Sequence, residues 1–171
     1  MNSELQKELL AMKDEDQLLL KKLIENGELP EEEYHPEMKA LHEKNNSRLK
    51  SIVKEFGWPT ISLVGKDASK AAWLLAQHAI LDEEFMDSCL ELLDNAVKNG
   101  DAEAMCFAYL KDRTLTMKDK PQIYGTQFDV IENEVVPFPI ANLENVDSLR
   151  REMGLGTLEE AKNSIRVRYN L

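Results

Sequence analysis

Nothing in the chain is long and apolar enough to cross a bilayer. The longest near-apolar run, residues 71–81, contains Gln77 and His78 and falls well short of the ~20 residues a spanning helix needs. Cysteine is scarce. Cys89 and Cys106 lie far apart, each within a helical apolar pattern, which points to reduced core thiols and away from a disulfide framework. Positive charge is in deficit, with 21 Lys and Arg against 32 Asp and Glu and a formal net charge of −11. Such a surface repels phosphate backbones and argues against non-specific nucleic-acid binding. The opening MNSELQKELL lacks the basic-then-apolar order of a secretory signal. The expectation is a soluble cytoplasmic protein with neither membrane nor nucleic acid as partner.

Familiar catalytic signatures are missing as well. There is no G-x-S-x-G element. GKDAS at 65–69 lacks the upstream glycine spacing of a phosphate-binding loop, and HEKNN at 42–46 has Asn46 where a zinc-protease helix needs its second histidine. His35, His42 and His78 show no metal-ligand spacing with one another or with either cysteine, so neither a metal nor another cofactor is expected. Nucleophile triads are unsupported; metal-independent binding or acid–base chemistry stays open.

What is present is helical periodicity. With 171 residues, 43% of them hydrophobic, the chain fits one domain with a real core. A capping box at Ser3 and Gln6 opens a first helix with apolar positions 5, 9, 12, 19 and 23, stopping near Asn26-Gly27. An acidic, proline-bounded connection at 27–36 should be exposed. A second helix follows Pro36 and ends at Gly57, and a third, capped by Asp67 or Ser69, runs through AAWLLAQHAIL. Asp82 caps a fourth, ending at Asn99-Gly100, and Asp101 caps a fifth through AEAMCFAYLKDRTL. Beyond residue 115 the period changes. Residues 122–130 and 135–138 read as a hairpin around Glu132-Asn133-Glu134, with Pro137 and Pro139 marking an edge strand. Short helices near 147–153 and after the Thr157–Glu160 capping box close the chain, although the alternation of Ile165, Val167, Tyr169 and Leu171 also fits a last strand. The fold class is mainly α: a bundle of about five main helices with a small C-terminal β-hairpin.

Several polar residues interrupt the apolar stripes. Asp16 falls in the stripe of the first helix, Asn45 in that of the second, and His78 continues the row of Ala71, Leu74 and Leu75 in the third. In the fifth, Asp112 follows Met105 and Ala108, and Arg113 follows Tyr109. A buried carboxylate without a partner is costly, so Asp16 needs a cation or several donors. Arg113 is the natural cation, with Asn45 and His78 completing a network. Each residue also has a plainer reading: an Asn that fixes register, a satisfied core His, or a solvated end of a stripe.

The segments GWPTISLVGKDASKAAWLLAQHA (57–79), AYLKDR (108–113) and PQIYGTQF (121–128) resemble a bacterial family of uncharacterised proteins, over nearly the whole chain. The resemblance implies that its shared pattern falls on Asp16, Asn45, Trp58, Pro59, Gln77, His78, Asp112, Arg113, Gln122, Tyr124, Gly125, Thr126 and Gln127. It supplies positions without supplying a reaction. The YGTQ element is too polar for a plain strand, and Gly125 lets the backbone turn or approach a ligand closely. Two functions remain in view. One is a small-molecule-binding protein or enzyme with His78 as acid or base, Arg113 as anion anchor, Asp112 or Asp16 as orienting carboxylate, and Asn45, Gln77, Tyr124, Thr126 and Gln127 contacting the ligand. The other is a non-enzymatic interaction protein whose polar network only specifies the fold.

Overall fold

The computed structural model describes residues 1–29 and 34–171 and is mainly helical, as the periodicity requires. It comprises two compact units, Met1–Glu103 and Ala104–Leu171. The first contains α1 (Ser3–Glu25), α2 (Pro36–Phe56), the single turn α3 (Ile61–Val64), α4 (Lys66–Gln77) and α5 (Glu83–Lys98). The second contains α6 (Ala104–Thr116), β1 (Phe128–Ile131), β2 (Glu134–Pro137), a 3-10 turn at Leu143–Asn145, α7 (Val146–Glu152) and α8 (Leu158–Tyr169). Among the described residues no helix is long and apolar enough to cross a membrane.

Helix ends follow local chemistry, with informative exceptions. The cap of α1 is Asn2, whose side chain accepts from the Leu5 N–H at 3.1 Å, one residue before the expected Ser3. α4 begins behind Gly65 (φ 82°), so neither Asp67 nor Ser69 caps it, and it ends at Gln77 with His78 as C-cap instead of running on to residue 81. Asp82 caps α5 as expected. Asp101 does not cap the next helix; its carboxylate accepts from the Ser62 N–H at 2.7 Å and anchors α3. The acidic connection lies partly outside the described residues, at 30–33, while His35 beside it is buried against the expectation of exposure.

α1 and α2 run antiparallel. Lys22–Glu37, Glu15–Lys44 and Glu8–Arg48 pair across their exposed flank at 3.3, 2.9 and 2.5 Å, in descending order on one helix and ascending on the other. Such exposed pairs stabilise little, but they report the register. Beneath them, Leu5, Leu9, Met12 and Leu23 of α1 and Met38, Leu41, Leu49 and Ile52 of α2 are buried. α4 packs against both helices and buries Ala68, Ala71, Ala72 and Ala76. Helix separation depends on the side chains at the contact, so this alanine face lets α1 and α2 approach closely.

In the second unit, the hairpin pairs Phe128 with Pro137 through Ile131 with Glu134. Glu132 and Asn133 form its turn at φ 50° and 66°, the left-handed pair a two-residue hairpin prefers. The first strand is shorter than expected because residues 122–127 form a loop. The Thr157–Glu160 capping box is present, and the last residues are helical, not a strand.

Cys89 is fully buried on α5, and that burial, reinforced by the charge of Asp82, pushes its thiol up to about 12. The unfolded chain gives up this proton from about pH 8.5 upward while the folded chain keeps it. The group therefore leaves stability unchanged below that pH and lowers it as the pH rises further. Iodoacetamide should label Cys89 slowly in the native protein even near pH ~9, and quickly in urea. Rapid native labelling would contradict the burial.

Candidate functional site

Three helices of the first unit deliver one side chain each to a common point. Asp16, on the buried stripe of α1, is 0% exposed. His42 comes from α2, and His78 stands at the C-terminus of α4. Asp16 Oδ2 lies 2.7 Å from His78 Nδ1 and 2.8 Å from His42 Nε2, and Asp16 Oδ1 accepts from the Gln17 amide at 2.9 Å. The two imidazole rings lie 4.4 Å apart, inclined by 31°. His42 Nδ1 in turn meets the Tyr34 hydroxyl. An ionised carboxylate only accepts, so His78 Nδ1, hydrogen-bonded to Asp16 Oδ2, carries hydrogen in this arrangement.

Burial alone would push the Asp16 carboxyl up. The close imidazoles of His42 and His78, the charge of His78 and the Gln17 amide outweigh it and hold the group well below the usual carboxylate range. Asp16 is therefore an anion in a closed setting, held by imidazoles. Arg113, the cation expected for it, stands on α6, in the second unit.

His42 and His78 adjoin a shallow surface pocket, also lined by Tyr34, Glu43, Asn46, Ala79 and Leu81. His78 is the more open imidazole, with 20% of its side chain exposed against 8% for His42. Asn45, one turn beyond His42 on α2, is 2% exposed, and among the described residues both polar atoms of its side chain lack a partner, as does the buried Oε1 of Gln77. Unpartnered buried amides are rare enough in folded chains to need a reason.

Among the described residues, Asp16, His42 and His78 are the group able to offer three ligand atoms to a metal ion, all within 4.8 Å of one another. The expectation of no metal came from spacing along the chain, a test that sees only ligands on one element. Here each ligand comes from a different helix. His42 and Tyr34 were not singled out from sequence. The stripe that drew attention to Asn45 also contains His42, three residues earlier.

The remaining expected site residues belong to the second unit, where Asp112, Thr126 and Gln127 serve the loop at 122–127. Asp112, 0% exposed, accepts from the N–H groups of Ile123 at 2.7 Å, Tyr124 at 3.1 Å and Thr126 at 3.0 Å, and from the Thr126 hydroxyl at 3.0 Å. Burial pushes its carboxyl up, and these donors work against that. Converging N–H groups of this kind form an anion site, and the chain supplies the anion itself. The Gln122 amide donates to the carbonyls of Gln127 and Phe138, both at 2.9 Å, and its Oε1 accepts from the Gln127 N–H. The Gln127 amide reaches the Thr126 hydroxyl at 3.0 Å. Arg150 of α7, absent from the sequence reading, donates to the carbonyls of Tyr124, Gly125 and Gly156 at 2.9, 2.8 and 2.6 Å. Gly125 has φ 61°, and a Cβ there would lie 2.8 Å from the Leu158 side chain. Asp112, Thr126 and Gln127 thus spend these polar atoms on holding the loop.

The chain belongs to a family of unknown function (DUF6624), matched over residues 3–171. Among curated proteins and among solved structures, nothing matches it.

Asp112→Asn keeps the shape but turns an amide donor toward backbone donors. It should lower the unfolding free energy by about 2–4 kcal/mol in urea denaturation. A change within ~0.5 kcal/mol, the range of an ordinary surface substitution, would show that the loop does not depend on this anion.

Proposed function

We propose that this member of the family is a small-molecule-binding protein or enzyme whose working site is the first-unit pocket, with His78 as the side chain that meets the ligand. The observation that carries the reading is the convergence of Asp16, His42 and His78 from three helices on one buried carboxylate oxygen, with both imidazoles also lining a surface pocket. A network that served only to fix the helices would gain nothing from an opening to solvent, nor from leaving Asn45 and Gln77 buried with unpaired amide atoms. The pocket is shallow, with space for about one water molecule, which limits the ligand to an ion or a very small molecule. An imidazole fixed by a carboxylate can move a proton or hold a metal ion. The proposal is confined to the first unit, because Asp112 is committed to the loop of the second.

Residues kept for function are commonly retained at a cost in stability. Asn45→Leu, a change of similar volume, tests this without knowledge of the ligand. If Asn45 is there for a ligand, the substitution should raise the unfolding free energy by roughly 0.5–2 kcal/mol. A loss of more than about 1 kcal/mol would make the amide structural and overturn the reading.

A further inference from the structure

We infer that Asp16, His42 and His78 bind one divalent first-row transition ion of the zinc or iron(II) class. The inference rests on the pocket reading and names the ligand class of that site. Proton transfer needs one imidazole and one carboxylate. A second imidazole brought to the same oxygen from a third helix is redundant for that purpose, yet it completes a two-histidine, one-carboxylate donor set.

The distances suit the exchange. Metal–nitrogen and metal–oxygen bonds of about 2.0–2.2 Å place neighbouring ligand atoms roughly 3.0–3.4 Å apart. The observed separations of 2.7 and 2.8 Å are hydrogen-bond lengths just short of that. Opening the cluster by a few tenths of an ångström admits the ion and replaces the close contacts to Asp16 by coordinate bonds.

The surroundings match what ligands of an ion require. Metal-bound histidines use their second ring nitrogen to hold a partner, as His42 Nδ1 holds the Tyr34 hydroxyl. The Gln17 amide occupies Asp16 Oδ1 and leaves Oδ2 for the ion. Three protein ligands beside an open pocket leave coordination positions for water or a reactant, the pattern of a working site and not of a closed structural one. Two imidazoles favour a first-row transition ion over magnesium or calcium, which prefer all-oxygen shells.

The test is a titration of the chelator-treated full chain with Co²⁺, followed by its visible spectrum and by calorimetry, with Zn²⁺ and Mg²⁺ as competitors. One Co²⁺ should bind per chain, be displaced by Zn²⁺ and be indifferent to Mg²⁺. His78→Ala should weaken binding at least ~10-fold, and Tyr34→Phe, which leaves all three ligands in place, about 10-fold. Circular dichroism identifies any variant that fails to fold, and the wild-type titration decides the question without the variants. No uptake by the wild type, or uptake unchanged in folded His78→Ala, would overturn the assignment of an ion. The pocket reading itself falls only on the Asn45→Leu result, so the two failures are distinguishable.

Discussion

A carboxylate with no exposure to water must be compensated on the spot, and in the first unit that carboxylate is Asp16. Leaving such a charge without its partners costs roughly 3–5 kcal/mol, a large share of a domain's stability. The compensation is spread over α2 and α4, through His42 and His78. Both of these helices pack on α1. The alanine face of α4 and the antiparallel register of α1 and α2 are therefore conditions for the polar cluster as much as for the apolar core. A bulkier α4 would separate the donors from the oxygen they share.

The second unit meets the same constraint differently. Asp112 is equally buried, but its donors are backbone N–H groups of one loop, and Arg150 holds carbonyls of that loop. Both charges are spent on conformation: the carboxylate gathers donors, the guanidinium gathers acceptors, and Gly125 supplies the left-handed backbone between them. The contrast is what favours the first unit for the proposed site. Asp16 is held by side chains that can exchange a hydrogen bond for another ligand; Asp112 is held by peptide groups that cannot be released without undoing the loop.

Much of the fold was legible because helix period, caps and glycine stops are local. α2, α5 and the capping box of α8 follow the sequence closely, and Asp16, Asn45 and Asp112 are buried where the stripes put them. The misreadings share a cause: a side chain was assigned to the nearest element in sequence when its partner is distant. Asp101 looks like the cap of the next helix and instead anchors Ser62. Gln122 and Thr126 look like strand residues and form a hydrogen-bonded loop. His42 hides beside Leu41 because a spacing rule for metal ligands says nothing about helices that meet only after folding. Arg150, one of two adjacent arginines in a short helix, carries no local mark that separates the buried one from the exposed one. Buried polar residues that build a loop and those that build a site look alike in a sequence; only their partners tell them apart.

If Asp16 and the imidazoles form one unit, their contributions to stability cannot be independent. A double-mutant cycle on Asp16→Asn and His78→Ala, measured by urea denaturation, addresses this most directly. The double variant should lose less than the sum of the two single losses, with a coupling of at least about 1 kcal/mol. Additivity within ~0.3–0.5 kcal/mol would mean that the carboxylate does not depend on the imidazole, and the first unit would then need another explanation for its buried charge.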